Sequence, residues 1–263
     1  MRTKLVMAFA ICATFVPCWS QQAATKPSVS DLLAKLHSKD WMERCDAYEN
    51  LRSNSDALRS PKVQTALLDL LDRENREGDQ KVREAQKSDH KETDGQDQHR
   101  EEHGEYYSEL IDTVDTFVDW SDPRQACILI NAGHLPFGQS STEAVARARV
   151  AIPCLLQISK SDLGVNRAQA IPMLVEALSK GGNTLDSEAV ATAKQTIVSD
   201  LHDPDEGVRS FTVDALGRFG GLDMIPALEK VAATDPAPEV QGISIRKLAA
   251  QAVDTIKKRA EQN

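Results

Sequence analysis

Aromatic residues are scarce in this 263-residue chain, at 5% (six Phe, three Trp and three Tyr). β-branched residues are also thin beside many Ala, Leu, Lys, Glu and Gln, which argues against an all-β sandwich or barrel and favours helices. With 13 Gly and 11 Pro, the composition is neither collagen-like nor that of a wholly disordered chain. Positive charge is in deficit too, because 31 Lys and Arg face 40 Asp and Glu, a formal charge of −9. Binding nucleic acid in general needs a surplus of cations to neutralise phosphates, so that class is not expected. Beyond the first twenty residues no apolar run approaches the roughly 20 residues that span a bilayer, so no membrane span is expected. What is present is 41% hydrophobic residues, enough for a real core in one medium domain, or one and a fragment.

Residues 1–20, MRTKLVMAFAICATFVPCWS, have the order of a secretory signal peptide: Arg2 and Lys4, an apolar run from Leu5 to Val16, then Pro and small residues. Cys18 and Ser20 suit the positions before a cleavage site, which would leave Gln21 as the mature N-terminus. Neither Cys12 nor Cys18 follows the small residues that a lipid-attachment site needs, so lipidation is disfavoured. The expectation is a protein in the periplasm or secreted, its first residues 21–29 flexible. Cleavage removes two cations and no acids, which takes the charge to −11.

Cleavage also removes Cys12 and Cys18, leaving Cys45, Cys127 and Cys154. Three cysteines allow at most one intramolecular disulfide, and the sequence does not say which two would pair. All three lie among apolar residues at helical spacing, the setting of small buried hydrophobes rather than reactive thiols.

The chain repeats itself. Leu36–Leu51 (LHSKDWMERCDAYENL) and Leu201–Leu216 (LHDPDEGVRSFTVDAL) align without gaps and share Leu36/Leu201, His37/His202, Asp40/Asp205, Arg44/Arg209 and Leu51/Leu216. The same frame recurs with Arg167, Ala170 and Leu174, and with Arg246, Ala249 and Val253, while a weaker copy carries Arg124 and Cys127. Positions three and seven after the Arg share one helical face, so each copy contains an amphipathic helix with a small residue at a close approach. Ile-Pro-x-Leu at Ile152–Leu155, Ile171–Leu174 and Ile225–Leu228 suggests helix starts, where proline is tolerated. Pro172, only five residues after Arg167, must kink that helix or begin another. Asp122-Pro123, Asp203-Pro204 and Asp235-Pro236 supply turns.

This pattern resembles the HEAT-like repeat family, in the short variety also found in phycobilin lyases. The residues that carry the resemblance are Leu201-His202-Asp203-Pro204-Asp205-Glu206-Gly207-Val208-Arg209, then Ala215-Leu216-Gly217 and Ile225-Pro226-Ala227-Leu228. It is strong from about Leu185 to Arg259, good from Ser30 to Arg73 and weak around Phe117 to Gly133. It implies an all-α chain, an α-α superhelix of paired antiparallel helices in which turn aspartates and helix arginines form a ladder between repeats. Arg44, Arg167, Arg209 and Arg246, with Asp40 and Asp205, are then structural. The expected organisation is a HEAT-like helix pair over 30–73, a charged insertion over 74–105 and a repeat stack over 106–260.

From Asp72 to Glu105 twelve acidic and seven basic residues accompany only Val82 and Ala85 as aliphatic side chains. Such a segment cannot bury enough apolar area to offset chain ordering, so it is either mobile or a solvated helix extension, and a mobile loop is expected at least over Ser88–Gly104, where Gly95 and Gly104 add breaks. It holds His90, His99 and His103. His99 and His103 stand four apart with Glu102 between them, so on a helix both imidazoles could reach one metal ion, but no third ligand or apolar surround is defined. After the insertion Tyr106, Leu110, Val114, Phe117 and Val118 make a helical stripe, with Tyr107 and Trp120 either sealing a boundary or forming an exposed anchor.

The sequence contains no Gly-rich phosphate loop, no Gly-x-Ser-x-Gly, no Cys-x-x-Cys and no His-Glu-x-x-His. Gly217, Gly220 and Gly221 suit helix termination better than a nucleotide fingerprint. Of the enzymes the resemblance brings to mind, the di-iron hydroxylases carry His-Glu dipeptides, which this chain lacks; the glycosylases need a cationic face, and pigment lyase chemistry conflicts with export. The expectation is an exported, non-enzymatic scaffold without a cofactor, binding a protein or peptide partner that could be basic given the acidic charge. The alternative is a metal-binding factor or enzyme using His99 and His103.

Overall fold

The computed structural model describes residues 27–87, 95–138, 140–239 and 244–262, with backbone alone for 95–102. The leader-like segment 1–20, residues 21–26 and Ser88–Asp94 with His90 lie outside them. Among the described residues the chain is all-α, with helices α1 (Val29–Lys35), α2 (Trp41–Arg52), α3 (Ser55–Leu58), α4 (Pro61–Lys87), α5 (Gly95–Asp115), α6 (Pro123–Asn131), α7 (Ser141–Ile158), α8 (Gly164–Gly181), α9 (Ser187–Asp200), α10 (Glu206–Phe219), α11 (Ile225–Thr234) and α12 (Ile245–Gln262).

The chain divides into two compact units, up to Leu58 and from Arg59 onward. In the first, α1 and α2 pack together, and α3 packs on α2. Helix α1 opens with a capping box, in which the Ser28 hydroxyl accepts from the Asp31 amide and the Asp31 carboxylate accepts from the Ser28 amide. Leu36, Ala47, Tyr48 and Leu51 are buried. Helix α4, expected to close this pair, belongs to the second unit instead, because its apolar stripe Val63, Leu67, Leu70 and Leu71 is buried in a helix that packs on α5 and α6.

The second unit is a helical stack built from antiparallel pairs. Helices α7 and α8 pair, as do α11 and α12. Helices α8, α10 and α12 pack directly on one another as one layer; α7 and α9 touch less, and α9 is the most lightly held helix of the stack. The repeat frame explains the tight layer. The residues three and seven after each Arg, Ala170 and Leu174, Thr212 and Leu216, Ala249 and Val253, are all buried, as are Ala47 and Leu51 in α2. Gly217 also serves this packing: a side-chain carbon there would lie 3.2 Å from the Ala252 methyl of α12. It therefore sits inside α10 rather than ending it, and Gly220 takes the C-terminal cap.

Two further expectations are corrected. Ile-Pro-x-Leu marks a helix start only at Pro226, whereas Pro153 and Pro172 lie inside the continuous helices α7 and α8. Proline removes one amide from a helix, and here neighbours that bury Ile152, Leu155, Ile171 and Leu174 keep the helix running through it. The charged segment likewise does not form a loop where it is described. Residues 74–87 complete α4, and 95–105, including Gly104, lie in α5. Once the buried stripe of α4 has nucleated the helix, each added residue needs little further stabilisation. Pairs four apart, Asp72–Arg76, Arg73–Glu77, Asp79–Arg83 and Gln80–Glu84, support the extension. Helix α5 is anchored by buried Tyr106, Leu110 and Val114; Phe117 and Val118 follow its end.

Candidate interaction surface

The repeated arginines do the same local work in three places. Arg44 donates through one Nη to the carbonyls of Ser38 and Lys39, Arg167 to those of Ser161 and Asp162, and Arg209 to those of Asp203 and Pro204. Each closes the turn before its own helix. At the head of that turn a side-chain oxygen accepts the amide two residues on: Ser38 from Asp40, Ser161 from Leu163, Asp203 from Asp205 and Asp235 from Ala237. Asp40 and Asp205 are helix N-caps, accepting from Met42 and from Gly207 and Val208.

The ladder between repeats runs through other aspartates. The Arg167 guanidinium donates to both carboxylate oxygens of Asp203 at 2.9 Å, and Arg209 donates to both of Asp235 at 2.8 and 3.4 Å. The rung residues thus stand at 203 and 235, not at the capping positions 40 and 205. Burial pushes both carboxyls up, but the hydrogen bonds from Arg167 and the Asp205 amide hold Asp203 below its usual range, and those from Arg209 and the Ala237 amide do the same for Asp235. Arg246 ends the ladder on the Asp235 carbonyl at 2.7 Å. At the other end Arg83, from the charged extension of α4, reaches both oxygens of Asp162 at 3.1 and 3.0 Å, and Asn166 donates to Asp79. Arg124 stays outside the frame: it is mostly exposed and meets Asp69 at 3.4 Å.

Since the ladder and the buried positions fix the orientation of α8, α10 and α12, they also fix what that layer leaves outward. Phe211, two residues after Arg209, is 54% exposed. The equivalent place after Arg246 holds half-buried Leu248, with Asp214 and Gln251 exposed beside it, whereas on α8 Gln169 and Met173 turn toward α4 and α6. Helices α10 and α12 pack closely, and the outward side of α10 carries the phenylalanine.

A cavity of about 100 Å³ lies between α4, α6 and α8, lined by Asp72, Asn75 and Asp79 on one side and by Asn131, Gln169 and Met173 on the other. Near it Asn75 bridges two elements, accepting from the Tyr107 hydroxyl at 2.5 Å and donating to the Ile128 carbonyl at 2.9 Å. Burial, and the negative charges of Glu74 and Asp79, push the Tyr107 hydroxyl above its ordinary value. Tyr107 therefore belongs to the packing of α5 on α4 and α6. Trp120 is also engaged: it donates to Asp115 at 3.3 Å and carries the Arg147 guanidinium 4.6 Å above its ring.

Of the two candidate metal ligands, His99 lies on α5 where no side chain is described. His103, one turn on, places Nε2 3.3 Å from the buried Glu74 carboxylate of α4, which also accepts from Tyr106 at 3.3 Å. Among the described residues no group of three or more His, Cys, Asp or Glu could hold a metal ion, and no helix is long and apolar enough to cross a membrane. Cys127 and Cys154, expected as buried thiols, are joined in a disulfide between α6 and α7, with Cα atoms 5.7 Å apart. Cys45 stands outside that bridge, on α2.

Sequence reasoning expected a ladder of turn aspartates and helix arginines but gave it Asp40 and Asp205 in place of Asp203 and Asp235, and it did not name Phe211. Both had a signal: Asp-Pro recurs at 203 and 235 ahead of Arg-bearing helices, and two residues after the Arg falls off the buried face.

Helix pairs tied by arginine–aspartate rungs around a closely packed helix layer define an α-helical repeat solenoid, a class that typically serves as a non-catalytic scaffold for protein partners. The family model for HEAT repeats matches residues 152–249, and that stretch is made of HEAT-like repeats. A comparison with curated proteins finds no match.

Proposed function

We propose that the protein is an exported, non-enzymatic scaffold that holds a protein or peptide partner against the exposed faces of α10 and α12, centred on Phe211. The observation that carries this reading is Phe211 itself: a large aromatic ring more than half exposed on the middle helix of the closely packed layer. Leaving it in water forgoes a burial worth about 2 kcal/mol, and exposed aromatic rings of this kind become anchors when a partner covers them. Export is supported by the leader-like residues 1–20 and by the Cys127–Cys154 disulfide, since such bonds persist where thiols are oxidised. The acidic balance favours a basic partner over a nucleic acid.

The test is photo-crosslinking with a benzophenone residue at 211 in envelope and medium fractions of the producing cells, with the same probe at Val198 on α9 as the control. A defined protein adduct from 211 and none from 198 is the expected result. Equal labelling from both positions, or none from 211, would sink the reading. Intact mass of the recovered protein checks export independently, with a chain beginning at Gln21 expected.

A further inference from the structure

Helix α6 is held from two sides. Ala126 and Ile130 join the buried core that runs through α7, α8, α10 and α12. Ile128 and Leu129 are buried outside that core, on a helix that also packs against α4 and α5. Asn75 of α4 donates to the Ile128 carbonyl, which ties the α4–α5 hairpin to α6 through the backbone. Helices α4, α5 and α6 therefore form a block, and beyond the α6–α7 contact its links to the repeat stack include the exposed Arg83–Asp162 pair and the Asn166–Asp79 hydrogen bonds. The disulfide crosses this seam: Cys127 comes from α6, and Cys154 lies inside the stretch that matches HEAT repeats. Besides the chain itself, it is a covalent tie between a block the family match leaves out and a stack the match covers from within α7 to the start of α12.

We propose that the Cys127–Cys154 bridge is a redox-sensitive clip that fastens the α4–α6 block to the repeat stack, so that reduction by a dithiol frees the block while the α7–α12 stack keeps its fold. Chemically, a thiolate of the dithiol attacks the Cys127 sulfur, the less buried of the two, breaking the S–S bond and expelling Cys154 as a thiolate. The second thiol of the reagent then displaces Cys127 from the mixed disulfide. The reagent leaves as its cyclic disulfide, and the protein gains two electrons and two protons as two thiols. The stack does not need the bond, because its rungs Arg167–Asp203 and Arg209–Asp235 lie beyond the seam and its apolar layer is built mainly from α7 to α12, with Ala126 and Ile130 as the contributors from α6. The block leans on it, because among the described residues α4 and α5 place no side chain in that layer and α6 reaches it through Ala126 and Ile130, while the polar contacts at the surface are weak ties once water competes for them. The clip does not depend on where a partner binds, so its failure and that of the binding face at Phe211 are distinguishable.

The experiment is hydrogen exchange read by mass spectrometry on the full chain, oxidised and after treatment with dithiothreitol, with the Cys127→Ala/Cys154→Val double variant measured without reductant and Cys45→Ala as a control for reagent effects. Peptide mapping under non-reducing conditions first checks that 127 and 154 are linked. Exchange in Pro61–Lys87, Gly95–Asp115 and Pro123–Asn131 is expected to rise at least tenfold in both the reduced protein and the double variant, with less than a twofold change in α8, α10 and α12. Finding 127 and 154 unlinked in the exported protein would overturn the clip. So would an equal rise in every helix, collapse of the whole helical signal on reduction, or no change in the block.

Discussion

At the scale of single residues the aspartates near Arg167 and Arg209 divide into two kinds. Asp203 and Asp235 are rungs, held ionised by guanidinium groups, and their contribution is present at neutral pH and lost as acid protonates them. Asp200 is the opposite case. It is buried at the end of α9, its Oδ2 has no hydrogen-bond partner among the described residues, and burial, with repulsion from Asp203, raises its carboxyl to about 6 despite the attraction of Arg167. A carboxyl raised on folding binds its proton more tightly in the native state, so native stability falls as pH climbs from about 4 to 6 and stays reduced above that. Asp200→Asn removes the ionised form, and urea unfolding is expected to show about 1–2 kcal/mol of stabilisation at pH 7.5 and none near pH 4. Arg209→Ala does the reverse: it strands the buried Asp235 carboxylate and is expected to cost about 3–5 kcal/mol at pH 7. Arg209→Ala combined with Asp235→Ala should cost clearly less than the sum of the two single changes.

At the scale of helices, close approach matters more than helix propensity. Gly217 lets α10 lie against Ala252 of α12, and a valine there must push the two helices apart. Thermal and urea unfolding of Gly217→Val should register a loss of about 1–3 kcal/mol, although valine is the better helix former. The disulfide closes a loop with a sequence separation of 27, for which chain entropy alone suggests about 3–4 kcal/mol. The double variant Cys127→Ala/Cys154→Val should therefore lower the urea midpoint of the α4–α6 block and leave that of the α7–α12 stack in place. The charged extension of α4 shows how an element escapes a composition argument. Its residues are poor in apolar area but rich in strong helix formers spaced for ion pairs, and they continue a helix whose first half is already buried. Arg83 and Asp79, far from solvating a loop, become contacts to Asp162 and Asn166.

At the scale of the whole molecule the acidic balance sets the expected salt response of binding. A partner drawn to a chain of formal charge −9 meets a field screened within about 8 Å at physiological ionic strength. Capture of a basic partner should weaken several-fold between 50 and 500 mM salt, mainly through slower association. An affinity unchanged by salt would instead favour an interface dominated by Phe211 and its apolar neighbours. Because each repeat leans on the next, stability in a stack of this kind is a sum of neighbour terms rather than one global figure.

The sequence alone determined the all-α class, the repeat frame and the places of its arginines, because residues at three and seven after each Arg must share a helical face. Those are local facts, set by helix geometry and short stretches of backbone. Tertiary structure decided which aspartate each arginine meets across the repeat, which two cysteines pair, that Pro153 and Pro172 lie within helices, and that acidic residues after Glu74 continue one. Each of these depends on what another segment brings to within a few ångströms, from 26 residues away for Arg209 and Asp235 and 79 for Arg83 and Asp162. Periodicity along one helix carries no record of such distances.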